Sequence, residues 1–193
     1  MWFQLGILLI SLGASLFLRR RSSISTFNLQ LTTHNLFRYI FITAVILSFI
    51  FSLGMMRSQF LLWQKNSPAS YLIPPYQDIN YFLDYSFYIF FAKPIIVLLA
   101  ALIFLGLAKF FNRRFGEGFF EDEEPYFGAL GIFLTGYQSF LFYIIMVLLS
   151  GLIGAAITRK RFSVYYLWLP LAIFVIMIQK WLQLLPFWQI LKL

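Results

Sequence analysis

The sequence predicts an all-α, polytopic helical membrane protein with about six hydrophobic segments, one of them short. Three observations lead there. Of 193 residues, 61% are hydrophobic and only 11% are charged, against about 45–50% and about 25% in an ordinary soluble domain. Aromatic residues make up 21% of the chain, with 25 Phe alone; a soluble domain of this size would be left with large exposed apolar patches. The apolar runs end at clusters of Arg and Lys, the pattern that orients helices in a bilayer. Together these exclude a soluble enzyme, a DNA-binding domain and a disordered chain.

The formal net charge of +8 would suggest nucleic acid in a soluble protein. Here the basic residues flank apolar runs and face anionic headgroups instead. The lipid bilayer is therefore the expected partner, other membrane proteins are further candidates, and nucleic acid is not expected. With no cysteine, the chain has no disulfide, thiolate metal site or Cys nucleophile.

The first segment is 2–18, followed directly by Arg19, Arg20 and Arg21. A secretory signal carries its charge before the apolar core, so this reads as a retained helix with the N-terminus outside. The second segment is 39–56, preceded by a polar stretch. Residues 57–85 are expected to form an outer aromatic loop on the headgroup layer, because Trp63, Tyr71, Tyr76, Tyr81 and Tyr85 alternate with Pro68, Pro74 and Pro75. The third segment is 87–108, with Lys93-Pro94 inside it and Lys109, Arg113 and Arg114 after it. The fourth, 125–136, begins with Pro125 at a first helical position. Its dozen residues would reach about 18 Å against a hydrocarbon core about 30 Å thick, which predicts a half-span, a re-entrant helix or one extended by its acidic lead-in. The fifth and sixth segments are 140–157 and 164–178, separated by Arg159, Lys160 and Arg161.

This topology puts ten of the 15 basic residues on the cytoplasmic side and five outside, as positive-inside orientation requires. The chain reads as a single helical domain, 1–193, integral to a membrane.

Five of the seven carboxylates crowd into 117–124, just ahead of the short helix: Glu117, Glu121, Asp122, Glu123 and Glu124. Acids before a helix start complement its dipole, by about 0.3–1 kcal/mol each, and a solvated helix start is the simpler reading. A carboxylate site at the membrane surface is the chemical one, with Asp122 and Glu121 as the candidate acids. Lys93 is the candidate intramembrane charge, with Asp84, Tyr85 and Tyr88 as candidate neighbours; its stem can snorkel to the interface. His34 is the sole histidine, so no multi-histidine metal site forms, and no nucleotide or phosphate loop appears. No cofactor or metal is expected. Ser150/Gly154 and Gly151/Ala155 repeat at four-residue spacing, a helix-packing face.

The string Ala129-Leu130-Gly131-Ile132-Phe133-Leu134-Thr135-Gly136-Tyr137, followed by Leu149-Ser150-Gly151-Leu152-Ile153-Gly154-Ala155, resembles the C-terminal membrane core of type IV prepilin peptidases. The likeness covers 112–178, the chain otherwise resembles small bacterial membrane proteins, and both resemblances imply a bacterial cytoplasmic membrane. The peptidase likeness implies a short helix, a small-residue-rich helix and a final helix joined by basic turns, and an intramembrane aspartyl peptidase activity. The family's Gly-x-Gly-Asp motif would put its aspartate at Phe119, after Gly116-Glu117-Gly118; Asp122 lies three residues further on, and the family's cysteines are missing.

Three functions follow. The first is a non-catalytic membrane subunit or scaffold, since no complete catalytic set is found. The second is a divergent, prepilin-peptidase-like aspartyl peptidase, active or inactive, using Asp122. The third is a small-solute transporter built on Lys93 and the Pro94 break, because broken helices form sites within the bilayer.

Overall fold

The computed structural model describes residues 2–22, 28–115, 120–158, 164–182 and 184, without the side chains of 2, 18–22 and 28–34. Six helices carry the fold: α1 (Trp2–Ser22), α2 (Asn28–Lys65), α3 (Ile79–Arg114), α4 (Glu124–Thr135), α5 (Phe140–Thr158) and α6 (Trp168–Leu182). Short 3₁₀ turns at Ala69–Leu72 and Val164–Tyr166 lie between them. Four segments are long and apolar enough to cross a membrane: Asn35–Lys65, Ile79–Arg114, Phe140–Thr158 and Val164–Leu182. The chain is an all-α integral membrane protein in contact with lipid. Its long helices leave Ile50, Phe51, Ile103, Leu148 and Leu152 exposed, as helices facing hydrocarbon do.

Segment 57–85 departs from the sequence expectation. Residues 57–65 continue α2, and Ile79–Ser86 begins α3, so the non-helical part is confined to residues between them. The reason is local. No proline falls between 57 and 65, whereas Pro68, Pro74 and Pro75 all follow the end of α2. The Ser58 hydroxyl also donates to the Gly54 carbonyl at 2.9 Å within the continuing helix. The aromatic residues pack on one another across the two helix tips. Trp63 lies 4.8 Å from Tyr85 and 5.3 Å from Phe82, ring centroid to centroid, and Phe60 lies 5.1 Å from Phe82. Ile73 is buried and anchors the connection.

α3 is not uniform. Ile79–Ser86 is α-helical, Phe87–Phe91 forms a π-turn, and Ala92–Arg114 resumes the α-helix. Pro94 has no N–H to give to the preceding turn and its ring crowds a carbonyl there. The wider π-turn immediately before it takes up the mismatch, so the proline adjusts α3 without breaking it.

The centre of the molecule is α4. All twelve of its residues are buried, and it packs against each of the other five helices. A helix apolar on every side, Pro-Tyr-Phe-Gly-Ala-Leu-Gly-Ile-Phe-Leu, has no face suited to water and is stable only when surrounded. Two glycines permit the close approach. A Cβ on Gly131 would overlap the Tyr143 hydroxyl of α5, and one on Gly128 would overlap the Phe104 ring of α3. α4 ends at Gly136, whose φ of 84° is open to glycine at little cost. The Gly136 carbonyl accepts the N–H groups of Ser139 (3.1 Å) and Phe140 (3.0 Å), and the chain turns back as α5.

Candidate functional site at the two ends of the central helix

The N-terminal end of α4 gathers most of the described polar side chains that make cross-helix contacts. Glu124 opens the helix, ahead of the apolar run and outside the four membrane-spanning segments. One carboxylate oxygen accepts the backbone N–H of Glu121 at 2.9 Å, which closes the helix start on itself. The other accepts the indole N–H of Trp168, at the start of α6, at 3.0 Å. Glu124 is only 3% exposed. Burial pushes its carboxyl up from the ordinary carboxylate range, the hydrogen bonds from Glu121 and Trp168 pull it back, and the nearby Glu121 charge adds to the rise. Beside it, Glu123 accepts the Tyr165 hydroxyl at 3.1 Å. Lys109 of α3 donates to the Tyr126 hydroxyl at 3.2 Å, with its ammonium 5.2 Å from the ring centroid.

Asn112 holds the incoming loop. Its amide donates to the Phe120 carbonyl at 3.0 Å, and its carbonyl oxygen accepts the Phe120 N–H at 2.9 Å. Trp168 is the hub of the region. Its ring lies 5.3 Å from Phe104 and 6.2 Å from Tyr143, and its backbone carbonyl accepts the Tyr143 hydroxyl at 2.9 Å. Both of the inward carboxylates thus tie α4 to the α6 side of the bundle.

The acidic segment therefore divides. Glu121 and Asp122 are exposed, Glu123 is half-buried and Glu124 is buried; Glu117 lies outside the described residues. Among the described residues, no three His, Cys, Asp or Glu side chains gather as a metal site would require. His34, Arg19, Arg20 and Arg21 belong to described helices, but their side chains lie outside the description.

The C-terminal end of α4 is built differently. It borders a cavity of about 250 Å³ whose wall includes Lys93 and Pro94 of α3, Gln4 of α1, Ser48 of α2, Gln179 of α6 and Gln138 of the α4–α5 turn. Lys93 is the one charged residue in that wall among the described residues. Asp84, Tyr85 and Tyr88 lie earlier on α3 and take no part in the cavity wall, and Asp84 is exposed. Nor does Lys93 meet the acidic segment, because a helix of about 18 Å lies between the two groups.

Trp168, Tyr165, Gln4, Gln138 and Gln179 were not marked by the sequence. Trp168 and Tyr165 lie 44 and 42 residues from their carboxylate partners, and no local pattern links them. The glutamines carry a signal only as neutral polar residues within otherwise apolar segments. No protein-family model, characterised protein or solved structure matches this chain.

Proposed function

We propose that this integral membrane protein acts as a non-catalytic membrane subunit or scaffold, with α4 as its fixed centre. The observation that carries this reading is the use of Glu123 and Glu124. Their carboxylates accept hydrogen bonds from Tyr165 and Trp168, so the two inward acids of the segment hold helices together. Small residues at Gly128 and Gly131 bring α3 and α5 close to the same centre, a packing device of membrane bundles. The outer apolar faces of α2, α3 and α5 are available to lipid and to other membrane helices.

The test is native mass spectrometry of the full chain released gently from its own membranes, together with its Asp122→Asn and Glu124→Ala variants. The subunit reading expects an assembly larger than one chain, retained by Asp122→Asn and weakened by Glu124→Ala. A single chain in every preparation would overturn it. Loss of the cellular phenotype in Asp122→Asn with the assembly intact would also overturn it, in favour of the aspartyl peptidase reading.

A second reading, small-solute transport, is supported by the polar cavity at the end of α4, next to the π-turn and Pro94 of α3. Half-length helices ending at polar cavities inside the bilayer are a recurring construction of transporters.

A further inference from the structure

The cavity at the C-terminal end of α4 is lined in part by residues of the spanning segments and in part by residues at helix ends: Gln4, Gln138 and Gln179. Ser48 falls near the middle of the apolar stretch of α2, and Lys93 falls within the spanning segment Ile79–Arg114. A cation within a spanning segment is costly unless a partner compensates it or its stem carries it to the interface. Among the described residues no carboxylate lines the cavity. Helix dipoles do not settle the balance. The C-terminus of α4 and the N-terminus of α5 meet at the same turn, 136–139, and their opposite partial charges offset one another. Lys93 is left as the net charge of the space.

The remaining lining suits an oxyanion bearing hydroxyls. Gln4, Gln138 and Gln179 come from three different parts of the chain and converge on one cavity. Each offers two N–H donors and one carbonyl acceptor, and Ser48 adds a hydroxyl. In the same turn, the Ser139 hydroxyl is fully buried with no hydrogen-bond partner among the described residues. Val97 and Phe133 provide an apolar wall. The volume, about 250 Å³, is below the range of about 300–1,000 Å³ for drug-sized ligands, so the occupant is headgroup-sized. The cation calls for an anionic group, and neutral amides call for hydroxyls beside it.

We propose that this cavity binds a phosphate ester carrying free hydroxyls, with Lys93 on the phosphate and Gln4, Gln138 and Gln179 on its oxygens and hydroxyls. That chemistry is shared by a glycerol-type phospholipid headgroup and by a soluble polyol phosphate. The site deepens the transport reading and rests on the same cavity. A site that binds but does not move its ligand would keep the proposal and remove that reading.

The experiment uses the full chain in a neutral detergent. It is titrated separately with short-chain phosphatidylglycerol, glycerol phosphate and short-chain phosphatidylcholine as the control, with binding followed by calorimetry. Saturable binding of the first or second probe, weakened about tenfold or more by Lys93→Gln, is the expected result, since a charge-assisted contact is lost. Lysine at 93 is exposed, so this variant is expected to fold. Gln179→Leu, on a different helix, provides an independent loss of affinity. Binding of the lipid alone identifies a headgroup site, and binding of glycerol phosphate alone identifies a solute site. The proposal fails if neither probe saturates, if phosphatidylcholine binds equally well, or if Lys93→Gln and Gln179→Leu both bind as the parent does. Uptake of glycerol phosphate into vesicles carrying the protein separately tests transport.

Discussion

At its N-terminal end α4 is fastened by a buried carboxylate, an indole and two tyrosine hydroxyls; at its C-terminal end, one short helix away, it borders a cavity holding a lysine and three glutamines. The first set of polar groups is satisfied within the protein. The second surrounds space. Both sets are rare polar residues in an apolar chain, and what separates them is whether their partners are already present. Paired groups of this kind hold helices in place, whereas convergent groups around a cavity are the usual form of a ligand site.

The largest effect on this contrast is expected from Trp168→Ala. It removes the ring that contacts Phe104 and Tyr143 and leaves Glu124 without its indole donor. Unfolding in detergent, followed by denaturant or heat, is predicted to show a loss of about 3–5 kcal/mol. Trp168→Phe retains most of the ring packing and should lose about 1–3 kcal/mol, from the unsatisfied carboxylate oxygen.

Gly131→Ala comes next. The new methyl group meets the Tyr143 hydroxyl, which is buried and bonded to the Trp168 carbonyl, so overpacking is expected to cost about 1–3 kcal/mol. Gly106→Ala is the matched control. It lies mid-helix in α3, where an added methyl group would meet nothing within 4 Å, and alanine is there the better helix former by about 1 kcal/mol. Equal effects of the two substitutions on the melting temperature would contradict the packing of α4 against α5.

Glu124 makes stability depend on pH. Its carboxyl is raised above the ordinary value of 4.5, chiefly by burial, so the folded state favours the neutral form more than the unfolded chain does. The stabilisation from that preference is complete below about pH 4.5 and is lost as pH rises through the folded value. Unfolding curves measured from acid to neutral pH should therefore show a decline that Glu124→Gln flattens. A parallel pH profile in the variant would place the titration elsewhere. The smallest effect is expected from Tyr165→Phe, which gives up one hydrogen bond to half-buried Glu123 and should cost about 0.5–1.5 kcal/mol in the same unfolding assay.

Much of the helical layout could be read from the sequence because apolarity and proline are local signals. Pro125 marks the start of the central helix, and the expected segments 125–136 and 140–157 differ from α4 and α5 by a single residue at the bounds. The C-terminal end of α2 and the N-terminal end of α3 were not legible. Apolarity fades at Arg57, Ser58 and Gln59, while the backbone hydrogen bonding of a helix continues through such residues until the prolines intervene. The acidic cluster could be seen, but not its division. Whether a glutamate at a helix start meets water or an indole depends on where α6 begins, and residue 168 is set there by tertiary packing. Lys93 was visible as a charge in an apolar run. Its cavity was not, because Gln4, Gln138 and Gln179 are brought together only by the fold.

Among the described residues, α4 is enclosed along its length and borders a polar cavity at its C-terminal end. The chain has no cysteine, so single cysteines can be introduced without a competing thiol. Ala129→Cys, Leu130→Cys and Gln138→Cys would each be treated, in the folded protein, with a small water-soluble methanethiosulfonate reagent. Labelling is expected to be rapid at 138 and absent at 129 and 130 until the protein is denatured. Labelling at 130 as fast as at 138, or no labelling at 138, would contradict this arrangement.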